Sequence, residues 1–478
     1  MNLYLNGIYW GIYNIAEHPD DDFCADTIGG DADHWDTLKD FAELESGNFD
    51  AWNQLISLAG AGLATDAQYQ RLLGRNPDGT PNSAFNVLLN EDSLIDYMLL
   101  HIFIGADDWP EHNWWAGRKS RGTTPGDGFR FFPWDQEISN ENHTYERSSW
   151  GHVYQNANAA NTPTQVYFAA RSNPEFRRRF ADRIHRHMFN GGALSQTANV
   201  ARWGSLTGQI DKAVVAESAR WGDHQRPAQP YTRETDWLTH TAYMNGTYWP
   251  NINTAVLGRL TAAGLWPATA APTFSPFGGA VPITHTLTIT NPNGSGTLLY
   301  TLDGTDPRAF GGGIAPGAVT YSGPIAVNTP RTVKARVRTT TGEWSPMSEA
   351  AFTIIVDSDN DGLGDAWELA NGYSLSANEA AQDTDGDGHN NILEYRAGTD
   401  PRSPGSLLKF NTGTRTANTV TLTFTARANR AYTLQRSTDL VTWADTATHA
   451  AETADHTAIL TDTATEAKVF YRLAPSVP

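Results

Sequence analysis

The spacing of apolar residues divides the chain into helical and β-rich parts. Over residues 1–266, apolar positions recur three or four residues apart, as in amphipathic helices, after an opening hairpin whose turn is Asn6–Gly7. A linker, "PATAAPT" (267–273), follows, and then short runs such as "THTLTIT" and "TVKARVRT" alternate apolar and polar residues. This alternation indicates β-strands with one buried face. We therefore expect small all-β sandwich domains at 270–356 and at 404–478.

Two helices of the first part have recognisable ends. The run "SLIDYMLLHIFIG" predicts an apolar helix that is capped by Asp92 or Ser93 and ends at Gly105. The run "NPEFRRRFADRIHRHMFNGG" predicts a helix that is capped by Asn173 and starts with Pro174. The buried face of this second helix is predicted to contain Phe176, Phe180 and Ile184. We expect its basic face to be solvated, with a grip on an acidic substrate as the alternative; that face consists of Arg177, Arg178, Arg179, Arg183 and Arg186.

Composition narrows the classes of function. The formal net charge is -19 at pH 7, which argues against nucleic-acid binding because phosphate contacts need a basic surface. No run of apolar residues approaches the length of a membrane span, so we expect none. Cys24 is the single cysteine, which excludes an intramolecular disulfide framework.

Residues 357–403 form an acidic segment with an internal repeat. "DSDNDGLGDAWE" and "DTDGDGHNNILE" both fit D-x-D-x-D-G-x5-E, the pattern of a calcium-binding loop. Such a loop supplies Ca²⁺ with alternate carboxylates, a backbone carbonyl, a residue that acts through water and a closing bidentate Glu. In that order the predicted ligands are Asp357, Asp359, Asp361, Leu363, Asp365 and Glu368, and then Asp383, Asp385, Asp387, His389, Asn391 and Glu394. The alternative is a solvated acidic linker.

A second set of polar residues follows the apolar helix. "DWPEHN" places Asp108 five positions before Asn113, and "FRFFPWD" predicts a strand that ends in Asp135. Phosphoryl transfer needs one carboxylate to accept the substrate proton, and an amide and a second carboxylate to hold Mg²⁺. Asp107 is an alternative to Asp108, but its spacing to Asn113 differs. On spacing alone a turn packed by tryptophans is favoured, and a carboxylate pair for glycoside cleavage is a weaker alternative.

Four segments in this order resemble the CotH family of atypical protein kinases: "LYLNGIYWGIYNIAEHPDDDF", "DHWDTLKD", "IGADDWPEHNWWAGRK" and "FRFFPWDQEI". The resemblance covers residues 1–266 and implies an α+β, bilobal kinase-like fold that transfers phosphate from ATP, with Mg²⁺, to Ser or Thr of a protein substrate. By motif, it implies that Asp108 is catalytic, that Asn113 and Asp135 are metal ligands and that Glu17 lies near the nucleotide.

The start of the chain departs from the family. The upstream strands and the phosphate-gripping Lys are missing, and Lys39 belongs to a different motif. We therefore expect a fragment of a longer secreted protein, or a gene read from an internal Met, with an incomplete N-terminal lobe, weak ATP binding and reduced or absent activity.

The later parts have resemblances of their own. Residues 270–356 resemble the C-terminal sandwich of chitobiases and β-hexosaminidases, and the acidic repeats resemble thrombospondin type-three or EF-hand-like loops. Both imply an extracellular or cell-envelope location. Trp344 and Tyr300 are candidates for a glycan platform, although core positions are favoured. A multidomain kinase with calcium-stiffened accessory domains is thus our first hypothesis, and a non-catalytic adhesion or carbohydrate-binding scaffold is the alternative.

Overall fold

A computed structural model describes residues 1–106, 108–120, 128–137, 139, 158–224, 226–452 and 454–476. In the first part, helices surround a small sheet. The helices are α1 (Asp21–Ile28), α2 (Asp50–Gly60), α3 (Asp66–Leu72), α4 (Glu91–Ile104), α5 (Pro163–Ala170), α6 (Pro174–Met188), α7 (Gln196–Ile210), α8 (Ala213–Trp221), α9 (Leu238–Tyr243) and α10 (Trp249–Ala262). The strands are β1 (Asn2–Leu5), β2 (Ile8–Ile12), β3 (Trp35–Lys39), β4 (Glu43–Ser46), β5 (Trp114–Lys119) and β6 (Arg130–Pro133).

The four-stranded sheet has the order β4-β3-β5-β6, and all its pairs are antiparallel. Large aromatic side chains bury one of its faces against the helices: Trp52 of α2 stacks on Trp114 of β5, with ring centroids 5.5 Å apart. β1 and β2 form the predicted hairpin, and Asn6 and Gly7 both have positive φ, as this two-residue turn requires. The hairpin prediction is confirmed.

The ends of α4 confirm one prediction and correct another. The helix ends at Gly105, which has φ 59° in the left-handed region, as predicted. Its cap is Asn90, whose side chain accepts a hydrogen bond from the Ser93 amide at 2.9 Å, so the prediction of Asp92 or Ser93 is wrong. The reason is that the chain reaches the helix from a contact with the residue before β6, where the Asn90 amide donates to the Phe129 carbonyl, and the helix therefore begins earlier than predicted.

Helix α6 starts after Asn173 with Pro174, as predicted, and its three apolar residues are fully buried. The expectation that its basic face is solvated is wrong for Arg179 and Arg183, whereas Arg186 is exposed. Arg179 donates two hydrogen bonds of 2.6 Å to Asp92, and Arg183 donates one of 2.7 Å to Asp96, both on α4. The side-by-side packing of α4 and α6 places these opposite charges together. Arg179 and Arg183 therefore stabilise the fold rather than bind a ligand.

The second part is a β-sandwich. Its strands are β7 (Thr273–Ser275), β8 (Gly279–Pro282), β9 (Thr286–Thr290), β10 (Thr297–Thr301), β11 (Val319–Thr320), β12 (Ile325–Ala326), β13 (Arg331–Arg338) and β14 (Ser348–Ile355). They form sheets of order β11-β10-β13-β14-β8 and β12-β9-β7, with an apolar core between them. Trp344 is buried, and Tyr300 packs on this core, which favours core roles over a glycan platform.

The last part contains the acidic segment and a second pair of sheets. Each acidic loop is followed by a short helix, α11 (Asp365–Asn371) or α12 (Asn391–Ala397). The remaining strands are β15 (Phe410–Thr416), β16 (Thr419–Ala426), β17 (Tyr432–Ser437), β18 (Ala444–His449), β19 (His456–Thr463) and β20 (Phe470–Pro475). Their sheets have the orders β15-β16-β19 and β18-β17-β20. Within the described ranges, no helix has the length and apolar character needed to cross a bilayer.

Candidate functional site

The loop between α4 and β5 is anchored by its first tryptophan. Trp109 is buried, and its indole Nε1 donates to the Tyr97 hydroxyl at 2.5 Å. The Trp109 ring also stacks on His101 of α4, with centroids 4.5 Å apart. Asp108 and Asn113 therefore stand on either side of a segment that is packed into the core, which keeps their backbone positions stiff.

Asp108 and Asn113 contact each other directly. The Asn113 Nδ2 donates to the Asp108 backbone carbonyl at 2.9 Å and lies 3.4 Å from its Oδ2. Asn113 is buried, whereas the Asp108 side chain is half exposed. The amide is thus held by its nitrogen end, which turns its Oδ1 away from this bond and makes that oxygen a candidate metal ligand.

Asp135 is brought to the same place by strand pairing. Trp114 pairs with Pro133 across β5 and β6, and the Trp134 amide donates to the Asn113 carbonyl at 3.3 Å. The Gln136 side chain donates to the same carbonyl at 3.3 Å. The strand ends at Pro133 rather than at Asp135 as predicted, and Asp135, which is exposed, lies two residues beyond that end. The sheet therefore places Asp135 beside the Asp108–Asn113 loop, although Asp135 lies 22 positions after Asn113 in the sequence.

All three residues share an unusual backbone conformation. Asp108, Asn113 and Asp135 have φ of 55°, 62° and 48°, in the left-handed region. Residues with a Cβ adopt this region at a cost of about 1–3 kcal/mol each, and such residues cluster at functional sites. Asp and Asn tolerate it better than most, so the residue types and the strained geometry agree.

Glu17 is exposed on the segment that follows β2. Its neighbour His18 contacts the rings of Trp115 and Trp134, with centroids 5.6 and 4.9 Å apart. Since Trp134 immediately precedes Asp135, this contact places the Glu17 segment at the same end of the sheet as Asp135. Asp107, the alternative to Asp108, lies outside the described residues.

His112 is a residue of this site that the motif analysis missed. Its Nε2 lies 2.8 Å from the Asp108 Oδ1, and Phe41 stacks on one face of its ring, with ring centroids 5.6 Å apart. The Phe41 amide donates to the Glu111 carbonyl at 2.7 Å, which ties the two loops together. The position of His112 inside "DWPEHN" was the only available signal, and it did not reveal which oxygen the ring would hold.

The donor set at this end of the sheet fits Mg²⁺. Mg²⁺ in phosphate-handling sites is held by one or two carboxylates and oxygen donors, with water and substrate phosphates completing the octahedron. The exposed carboxylate of Asp135 and the oriented amide of Asn113 are donors of this kind.

The acidic repeats bring their carboxylates together. Asp359, Asp361 and Glu368 of the first loop each place an oxygen within 4.8 Å of the others, and Glu379 from the segment between the loops joins them. In the second loop Asp383, Asp385 and Asp387 meet in this way, and the group among the described residues does not include the closing Glu394. Glu379 was not predicted, because nothing in its local spacing marks it as a ligand.

The closing glutamates are the most informative residues of these loops. Glu368 and Glu394 are fully buried, and both oxygens of Glu368 and one of Glu394 have no hydrogen-bond partner among the described residues. Burial, reinforced by the neighbouring aspartates, raises the pKa of each to about 7. Since an unpaired buried carboxylate is costly, these side chains fit a cation that the loops would enclose.

The ninth residues of the two loops, Asp365 and Asn391, accept hydrogen bonds from within their own loops. Asp365 accepts hydrogen bonds of 2.7 Å from the Ser358 amide and hydroxyl, and Asn391 accepts one of 3.0 Å from the Thr384 hydroxyl. In each loop, the second residue thus donates to the side chain of the ninth residue. Asp357 and Asp383 also accept loop amides, while the amides of Leu363 and His389 donate to the aspartates two residues before them.

Two models of known protein families match parts of the chain. The family model described as CotH kinase protein matches residues 1–248, and one described as Fn3 associated matches residues 287–352. The second match supports a β-domain in the sandwich region and does not extend to the chitobiase resemblance. No curated protein matches the chain.

Proposed function

Because the chain belongs to the CotH kinase family, we propose that it is a phosphotransferase that transfers phosphate from ATP to Ser or Thr of a protein substrate. The observation that carries this proposal is the convergence of Asp108, Asn113 and Asp135 at one end of the sheet, each in the left-handed backbone region. We assign this activity to a kinase-like domain at residues 1–266, followed by accessory domains at 270–356, 357–403 and 404–478.

Asp108 is the catalytic carboxylate in this proposal. Its side chain is half exposed, so a substrate hydroxyl can approach it and give up its proton. His112 holds Oδ1 and Asn113 holds the Asp108 backbone carbonyl, so His112 is a positioning residue that limits the rotation of the carboxylate. Such preorganisation matters because misplacement of a catalytic group by a fraction of an ångström lowers the rate.

Asn113 and Asp135 are the residues that would hold Mg²⁺, with Glu17 on the nucleotide side. Bound Mg-ATP supplies the phosphoryl group and the positive charge that offsets its oxygens. The chain's own contribution is positional: the Trp134 amide and the Gln136 side chain fix the Asn113 carbonyl, and this fixes the spacing between the loop and the strand end.

Mg-ATP titration calorimetry tests the proposal. We expect saturable heat with the wild-type chain and none with Asp135→Ala, because that substitution removes a metal ligand without opening the core. Glu111→Gln is the matched control, since it removes an exposed acid from the same loop without touching the proposed ligands. Asp108→Asn should bind Mg-ATP but fail to phosphorylate protein. Unchanged binding by Asp135→Ala would contradict the metal assignment, and transfer by Asp108→Asn would contradict the catalytic one.

For the acidic repeats we propose two Ca²⁺ sites, built on the carboxylates described above and closed by Glu368 and Glu394. In the first site Glu379 adds a ligand from outside the loop, so we expect it to bind more tightly than the second, where no such group is proposed. Loops of this kind with modest affinity are filled at extracellular calcium levels, and we therefore propose that the protein acts outside the cell or in its envelope.

A further inference from the structure

Two histidines and a glutamate meet at one corner of the C-terminal β-domain. His449 is the last residue of β18, His456 is the first of β19, and Glu452 lies in the connection between them. β18 and β19 belong to different sheets. The three side chains therefore stand where the chain crosses from one sheet to the other, far in sequence from the acidic repeats.

The three donor atoms form a triangle of a size that suits a metal. The Nε2 atoms of His449 and His456 are 3.0 Å apart, and the Glu452 Oε1 lies 3.9 Å from the first and 3.4 Å from the second. A circle through three atoms with these separations has a radius of about 2.0 Å, which matches the bond lengths from zinc to imidazole nitrogen and carboxylate oxygen. An ion at the centre of this circle would lie within bonding distance of all three atoms.

Contacts around the triangle hold its members in place. His456 places its Nδ1 3.0 Å from the Ala454 carbonyl, so this nitrogen carries the proton and Nε2 presents its lone pair. The His449 ring packs edge-on against Phe424, with centroids 5.9 Å apart. The Glu452 carbonyl accepts the Asn429 amide at 2.5 Å, which anchors the connection. Metal-binding imidazoles commonly donate their other ring N–H to a backbone carbonyl, as His456 does here.

We propose that His449, Glu452 and His456 form a site for a divalent transition metal, with Zn²⁺ as its best-fitting ion. Imidazole nitrogen favours Zn²⁺, Cu²⁺ and Ni²⁺ over Ca²⁺ and Mg²⁺, so this site differs in chemistry from both the acidic loops and the phosphotransfer site. Three protein ligands leave a coordination position for water. The bound ion would link the two sheets at this corner and stabilise the domain by mass action.

Zinc titration calorimetry on the whole chain, prepared without a histidine tag and in calcium-saturated buffer, tests this proposal. We expect one Zn²⁺ per chain in addition to any binding at the acidic loops. Glu452→Gln should weaken this event at least tenfold while preserving the fold, because it changes one ligand atom and keeps the side-chain shape. His456→Ala should abolish the event, and His224→Ala, an exposed histidine elsewhere, should leave it unchanged.

Co²⁺ provides a second measurement that is independent of heat. We expect a visible absorption band on Co²⁺ binding that Zn²⁺ displaces and that His456→Ala removes. If the two imidazoles share only an N–H···N hydrogen bond, the wild-type chain will show neither the zinc event nor the band. That result, or zinc binding that persists unchanged in Glu452→Gln and His456→Ala, would overturn the proposal.

Discussion

Removing Asp182 is expected to open the joint between helix α6 and the sandwich. Its partner Arg336, on β13, is buried, and its guanidinium donates two hydrogen bonds of 2.7 Å to the two Asp182 oxygens. Asp306 accepts two more, of 2.7 and 2.6 Å, and the Met347 amide donates to Asp182 at 2.8 Å. Burial disfavours the charge on Arg336, but the two carboxylates outweigh this effect and raise the pKa of its guanidinium.

The loss of stability in each variant depends on the polar groups that the substitution leaves without a partner. Asp182→Ala leaves half of a buried guanidinium and one buried amide without their hydrogen-bond acceptor. Breaking a buried ion pair in this way costs about 3–5 kcal/mol of stability. We expect the lower end, about 3 kcal/mol, because Asp306 still shares the charge. Asp306→Ala removes the same number of guanidinium bonds, but the Asp306 side chain is 35% exposed against 6% for Asp182. Solvent therefore replaces part of the loss, and about 1 kcal/mol is expected.

Urea unfolding with tryptophan fluorescence, together with limited proteolysis of the linker at 267–273, measures both variants. Asp182→Ala should shift the transition to lower urea and expose the linker to cutting, and Asp306→Ala should do both to a much smaller extent. Equal losses in the two variants would refute the argument that burial sets the strength of this joint.

Three further predictions concern pH, calcium and rate. Burial raises the pKa of Glu91 to about 7 from an ordinary 4.5, so the stability that its protonation contributes is fully present below pH 4.5 and is lost as the pH rises from 4.5 through 7. Glu91→Gln should therefore flatten the fall of Tm over this range. A calcium chelator should increase protease cutting between residues 357 and 402, and equal cutting with and without it would contradict the calcium assignment. His112→Ala should lower kcat about tenfold or more with little change in Mg-ATP affinity, and a loss of affinity instead would argue against a positioning role.

Local features of the fold were predictable because nearby residues determine them. The turn at Asn6–Gly7, the start of α6 at Asn173 and the end of α4 at Gly105 depend on backbone conformations that particular residue types favour. Alternating runs identified the strands of both β-rich parts for the same reason. The start of α4 was missed because a contact with Phe129, just before β6, determines where that chain segment turns into the helix.

The candidate sites were predictable in part. The calcium loops and the "DWPEHN" loop each keep most of their residues within a dozen positions, so spacing in the sequence indicates spacing in space. His112 was visible in the motif, but its bond to Asp108 depends on the side-chain orientation that Phe41 imposes. Glu379 reaches the first loop from outside the repeat, and no local pattern reports such a contact.

By itself, the sequence determined the opening hairpin, the cap of α6, the end of α4, the acidic repeat and the family motifs, all of which depend on short-range backbone preferences and on spacing. Only the tertiary structure decided that Arg179 and Arg183 pair with α4, that Arg336 joins the sandwich to α6, and that His449 and His456 face each other across two sheets. These contacts join separate elements, and their geometry depends on how those elements pack. Packing determines which side chains meet across such a junction, and the spacing of residues along the chain does not contain that information.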